Sequence, residues 1–243
     1  MGVVTAQEAI VLLDRLIATP SHSREEGATA DILEAFLCAR GIDVQRIHNN
    51  VWAKCKHFDA AKPTLLLNSH HDTVKPSAAY TIEPYKPLHA DGKIYGLGSN
   101  DAGASLVALA TTFCNNYDAE LSYNLILALT AEEEVMGEKG MRAMLLEFER
   151  VGIRIDMAIV GEPTGMNAAV GERGLLVFDA TAHGVRGHAA RNEGVNALYK
   201  AIADIERLRN YRFERCSELL GDINIAVTMI SAGTQHNVVP DEC

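Results

Sequence analysis

The chain has no apolar run near the roughly 20 residues needed to cross a bilayer, and its N-terminus lacks a basic stretch followed by an apolar core. Neither a membrane span nor a secretory leader is expected. Positive charge is also short: 22 Lys and Arg stand against 32 Asp and Glu, a formal net charge of -10, and the basic residues form no stripe. Phosphate backbones are bound through clustered cations, so nucleic acid is excluded as a partner class. Cysteine is sparse and unpatterned. Cys38, Cys55, Cys114, Cys216 and Cys243 contain no CxxC pair, which argues against a disulfide framework and points to buried thiols in a cytoplasmic protein. Repeats and low-complexity segments are absent. What is present is apolar mass: 48% of 243 residues are hydrophobic, enough for one large core or a domain and a half, and too much for wholesale disorder.

Thr5 and Glu8 stand at capping-box spacing ahead of Ile10, Leu13, Leu16 and Ile17 on one helical face, and Pro20 ends the pattern. A second helix is expected from Ser23, with Glu26 three residues on, through Ile32, Leu33, Phe36 and Leu37 to Gly41. Residues 64–68, 123–129 and 157–160 read as buried strands, with helical stretches near 102–117 and 137–150 between them. Strands alternating with helices predict an α/β fold, a mostly parallel sheet covered on both faces. From about Gly174 the pattern changes. Leu175, Val177, Asp179 and Thr181 alternate in part, residues 195–208 read as a helix, and Ile223, Ile225, Val227 and Met229 alternate cleanly. The expected organisation is a catalytic domain over 1–172 and a partial α+β domain over 173–243. The chain stops at NVVPDEC just as another strand begins, and a truncation is the expectation.

Polar stations follow the apolar runs or a glycine-rich turn: His70 and Asp72 in SHHDTVKP, Asp101 in GLGSNDAGA, Glu133 and Glu134 in TAEEEVMG, and Glu162 in VGEPTG. Open α/β sheets bind their ligands beyond the carboxyl ends of the strands, where such stations collect. Hard carboxylates with imidazole form a ligand set for zinc and similar ions. At a strand end, residues two apart project to one side, so Asp72 is placed to receive one N–H of His70 while the other nitrogen faces a metal. His71 points the other way and reads as structural. Gly96 and Gly98 permit a tight turn that aims Asp101; alone, Asp101 is more often a helix N-cap than a ligand. Neighbouring Glu133 and Glu134 face different ways and can take two roles. Each station by itself is more often an ordinary polar loop, but four separate regions share the same placement.

SHHDTVKP, YGLGSND, TAEEE, VGEPTG, GERG, VRGHAA and NVVPDEC, in this order, resemble the M20 family of zinc-dependent amidohydrolases and peptidases, above all its acetylornithine deacetylase and succinyl-diaminopimelate desuccinylase branch. The resemblance spans nearly the whole chain. It implies two zinc ions, for which cobalt can substitute, held by His70, Asp101, Glu134 and Glu162, with Asp101 bridging. It implies Asp72 as the residue orienting His70 and Glu133 as the catalytic base. The second domain is implied to be a lid that forms a homodimer, with His188 stabilising an oxyanion in a neighbouring subunit's site and Arg173 and Asn237 near substrate. Two departures stand out. The family's DMKG is here Asp101-Ala102-Gly103-Ala104, which removes a lysine but no ligand, and the family's last metal-binding histidine lies in a return segment beyond residue 243.

The implied reaction is hydrolysis of the amide bond of a small N-acyl amino acid, of the N-acetylornithine type, in arginine or lysine biosynthesis. A metallo-aminopeptidase or dipeptidase of the same family, and a catalytically silent fragment, are the competing expectations.

Overall fold

The computed structural model describes residues 2–243. The capping box at Thr5 forms as expected: the Thr5 hydroxyl accepts from the Glu8 N–H, and the Glu8 carboxylate accepts from the Thr5 N–H. It starts α1 (Ala6–Ile17), which buries Leu12, Leu13, Leu16 and Ile17. The second box does not form. Helix α2 (Gly27–Cys38) begins after Glu26 with no side-chain cap, because Ser23 and Glu26 spend their side chains elsewhere: Ser23 donates to Asp72 and Glu26 accepts from the Glu132 N–H.

A hairpin, β1 (Val44–Ile47) and β2 (Asn50–Lys54), follows α2. It is absent from the sequence expectations, because β1 alternates weakly and carries exposed Gln45 and Arg46. Strand β3 (Thr64–His70) comes next, then the short antiparallel pair β4 (Leu88–Ala90) and β5 (Lys93–Tyr95). An irregular turn (Ser99–Gly103) leads into α3 (Ala104–Asn116). β6 (Asn124–Thr130), α4 (Met141–Arg150) and β7 (Met157–Val160) complete the set. The sheet runs β1-β2-β6-β3-β7; β6, β3 and β7 are parallel and the hairpin joins antiparallel.

Every residue of β6 is buried, as a central strand covered on both faces requires. Alternation sends Leu125, Leu127 and Leu129 into the layer of α1, α2 and α3 with Leu33, Leu106 and Phe113. Ile126 and Ala128 go to the other face, against α4, with Trp52, Met144 and Phe148. There Trp52 meets Phe148 edge-on, with ring centroids 5.4 Å apart. β7 departs from its expected burial: Met157 and Val160 are each 55% exposed, because the strand has one neighbour and lies at the sheet's edge. In register, His70 stands opposite Thr130 and Asn68 opposite Val160. The three parallel strands therefore end side by side, and the stations after them emerge along one edge.

Contacts divide the chain into two compact units, one up to Met166 and the other Asn167–Cys243. The second unit holds α5 (Ala197–Asn210), capped by the Asn196 side chain on the Leu198 N–H. It also holds a two-residue antiparallel pair, β8 (Gly187–His188) and β9 (Val238–Val239). The strands expected from Leu175 and from Ile223 are not paired among the described residues, and Leu175, Val177 and Ile223 stay exposed. Alternation supplies a face, but a strand also needs a hydrogen-bonded neighbour. No helix of the described residues is long and apolar enough to cross a membrane.

Candidate metal centre

Backbone constraints aim the side chains of the centre. Gly98 sits at φ 73°, and a Cβ there would come 2.6 Å from Thr73 Cγ2; only glycine suits this left-handed turn before Asp101. Gly161 is packed against α3, where a Cβ would lie 2.9 Å from both Leu109 Cδ1 and Ser105 Cβ. Its N–H donates to the Asn68 carbonyl at 2.7 Å and its carbonyl accepts from Ser69 Oγ at 2.8 Å. These contacts fix the backbone from which Glu162 projects.

His70, Asp101 and Glu162 each offer one donor atom, and the three atoms lie within 4.8 Å of one another. His70 Nε2 is 3.2 Å from Asp101 Oδ1 and 3.8 Å from an oxygen of each of Glu133 and Glu162. Glu134 is not in the three-donor group. Asp72 is placed differently from the simple His-Asp pairing expected of it. His70 Nδ1 lies 3.0 Å from the Asp72 backbone carbonyl and 3.4 Å from its carboxylate. The carboxylate instead accepts from Ser23 Oγ at 2.7 Å, the Glu133 N–H at 3.1 Å and the Glu134 N–H at 3.2 Å. One buried carboxylate thus ties β3's end to the glutamate turn.

The electrostatics follow from this crowding. Burial works against a charged His70, but Asp72, Glu162 and Glu133 outweigh it and push the imidazole up to about 9. Burial likewise opposes ionisation of Asp72, yet the nearby His70 imidazole and the hydrogen bonds from Ser23 and the Glu133 N–H hold its carboxyl below the usual range. Glu134 and Glu162 are raised, first by burial and then by neighbouring carboxylates, Asp101 for Glu134 and Glu133 for Glu162. Several acidic groups crowd one imidazole and repel one another, an arrangement that a bound cation would relieve. One nitrogen and hard oxygens converging this closely fit zinc or a similar divalent ion. His71 is structural, as expected: Nε2 meets the Asn49 carbonyl at 3.0 Å and Nδ1 meets Thr29 Oγ1 at 2.9 Å. Burial pushes its imidazole down to about 4.

His188, Arg173 and Asn237 belong to the second unit. His188 Nδ1 accepts from the Ala190 N–H at 3.2 Å, Arg173 Nε donates to the Leu220 carbonyl at 2.9 Å, and the Asn237 carbonyl accepts from the Ala189 N–H at 3.1 Å. Sequence reasoning missed Asn50 and Glu26, whose side chains accept from the Ala131 and Glu132 N–H groups of the glutamate turn, and Ser23, which donates to Asp72. The Ser23-Glu26 spacing was visible, but it matched a helix cap.

The family model of peptidase family M20/M25/M40 matches residues 66–235. The succinyl-diaminopimelate desuccinylase of Delftia acidovorans is 27% identical over 249 residues, covering 94% of this chain. That of Cereibacter sphaeroides is 30% identical over 252 residues, covering 97% of this chain and 66% of the relative. The chain spans 64% of the length of the Delftia protein. Among solved structures, a tripeptidase of Staphylococcus aureus superposes with a TM-score of 0.68 at 21% identity, over 99% of this chain and 65% of that one. A dinuclear metal-binding M20 peptidase of Bacillus subtilis gives 0.58 at 19% identity, over 97% and 61%. These likenesses show the fold. With the family model spanning both the β3 end and the His188 region, the chain belongs to peptidase family M20/M25/M40.

Proposed function

We propose that the protein hydrolyses the amide bond of an N-acyl amino acid as a dinuclear zinc amidohydrolase, with an N-succinylated diamino acid as its leading substrate class. The observation that carries this reading is the convergence of His70, Asp101 and Glu162 within 4.8 Å, with a Glu133 oxygen 3.8 Å from His70 Nε2. His70, Asp101 and Glu162 would hold one ion, and Asp101 with Glu134 would contribute to a second. When bound, such cations lower the pKa of water from about 15.7 toward about 7 and polarise the acyl carbonyl. Glu133, whose side chain is 53% exposed and so open to solvent, takes the proton of the attacking water and passes it to the leaving amine. Asp72 keeps Glu133 in place through the backbone. His188, from the second unit, is assigned to the oxyanion on the family resemblance, as are Arg173 and Asn237 to substrate, the homodimer to that unit, and cobalt as a substitute metal. The unpatterned cysteines favour the cytoplasm.

The succinyl preference rests on the desuccinylase relatives, and a lysine-pathway substrate is therefore preferred over acetylornithine. Assays with N-succinyl-diaminopimelate, N-acetylornithine and a panel of di- and tripeptides, each with added zinc or cobalt, separate the possibilities. The succinyl substrate is expected to be turned over fastest; selective cleavage of peptides with a free N-terminus would replace this reading with a peptidase. A second reading, in which this polypeptide alone binds metal without turnover, is favoured by the donor count: three donors gather, where two ions need more.

A further inference from the structure

The turn that follows β6 and carries Glu133 and Glu134 is neither helix nor strand, so its N–H groups need partners from elsewhere. Four consecutive ones find side-chain oxygens: Ala131 on Asn50 Oδ1 at 3.0 Å, Glu132 on Glu26 Oε1 at 3.2 Å, and Glu133 and Glu134 on the two oxygens of Asp72. Asp72 adjoins the metal donors, but Glu26 does not belong to them. Glu26 is fully buried, and its carboxylate accepts from the Arg24 N–H, from Asn49 Nδ2 at 2.8 Å and from the Glu132 N–H. A carboxylate accepts about four hydrogen bonds and donates none, so it suits three converging donors.

Glu132 itself stands at φ 57°, a left-handed backbone that a residue with a side chain keeps only where its surroundings over-determine it. The surroundings here do so on both sides. Its N–H is held by Glu26, its carbonyl accepts from the Gly137 N–H at 2.8 Å, and its Oε2 accepts from the Lys139 N–H at 3.3 Å. The next residue is Glu133.

We infer that Glu26 is a positioning residue for the metal centre: by fixing the Glu132 N–H it sets the left-handed turn from which Glu133 and Glu134 emerge. The inference rests on the reading of His70, Asp101 and Glu162 as metal ligands, and it gives Glu26 no contact with metal or substrate. What the role requires of Glu26 is an acceptor at one point in space.

Cobalt(II), whose visible absorption reports its ligand geometry, is the probe. Titrating it into the chain with Glu26→Asp, which withdraws the acceptor by one methylene, and Glu26→Leu, which removes it, is expected to weaken cobalt binding about 10–100-fold and to change the absorption of the bound ion. Glu26→Gln is expected to restore the wild-type spectrum, since its carbonyl still accepts at the Oε1 position while the Asn49 amide turns over to meet its NH2 group. Asn49→Ala, which leaves the Glu132 N–H paired, should lower thermal stability without altering the spectrum. If Glu26→Leu does not fold, Glu26→Asp decides alone. Wild-type cobalt affinity and spectrum in Glu26→Asp would overturn the inference whatever its melting temperature, as would an equal spectral change in Asn49→Ala. A wild-type chain that takes up no cobalt overturns the metal-centre reading and this inference with it.

Discussion

Replacing Glu133 by glutamine is expected to leave metal uptake intact while lowering turnover by about 10²–10⁴, the usual contribution of a general acid–base. The separation of the two effects comes from geometry. Glu133 is outside the three-donor group, so the three candidate donors keep their arrangement when its charge is removed. Its backbone is held by the Asp72 carboxylate at 3.1 Å, an interaction that the side-chain change does not touch. Glutamine keeps the shape but has no basic oxygen to take a proton from water. Steady-state kinetics on N-succinyl-diaminopimelate beside zinc-binding isotherms check this. A fully active Glu133→Gln protein would remove Glu133 from its role, and a variant that loses zinc as well as activity would make it a ligand instead.

Asp72→Ala should act in the opposite way, on metal binding and stability together. The Asp72 side chain is wholly buried and holds Ser23, two backbone N–H groups and one side of His70. Its loss takes the acceptor from the part-buried Glu133 and Glu134 N–H groups, at a cost below the roughly 1–3 kcal/mol of a fully buried donor left unmade. It also frees His70 and both glutamates, and outer residues of this kind cost about 10–100-fold in metal affinity when removed. The expected result is a lower unfolding midpoint of the metal-free chain together with weaker zinc binding by calorimetry. Zinc affinity equal to wild type would mean that the tie between β3 and the glutamate turn does not shape the centre.

Much of this was legible in the sequence because the signals were local. Capping chemistry at Thr5 and continuous apolar runs in β3 and β6 report structure within a few residues, and both formed where expected. The station positions were legible for the same reason: each follows a strand end or a glycine-rich turn. What was illegible depended on distant partners. Ser23 and Glu26 had the spacing of a cap, yet their side chains reach residues 49 and 106 positions away. The alternating segments at Leu175 and Ile223 show what periodicity omits, since it names a face and not the neighbour that completes a ladder. Asp72 was recognised as a support, but its larger share, the two N–H groups of the glutamate turn, depends on the β3–β6 register that brings residues 70 and 130 together.

Calorimetric titration of zinc into the metal-free chain, with His70→Ala and Glu162→Ala in parallel, decides whether the ends of β3, β6 and β7 and the turn before α3 together make a metal centre. At least one zinc ion is expected to bind per wild-type chain, with that binding lost in both variants. No zinc uptake by the wild type, or uptake undiminished in His70→Ala, would contradict such a centre.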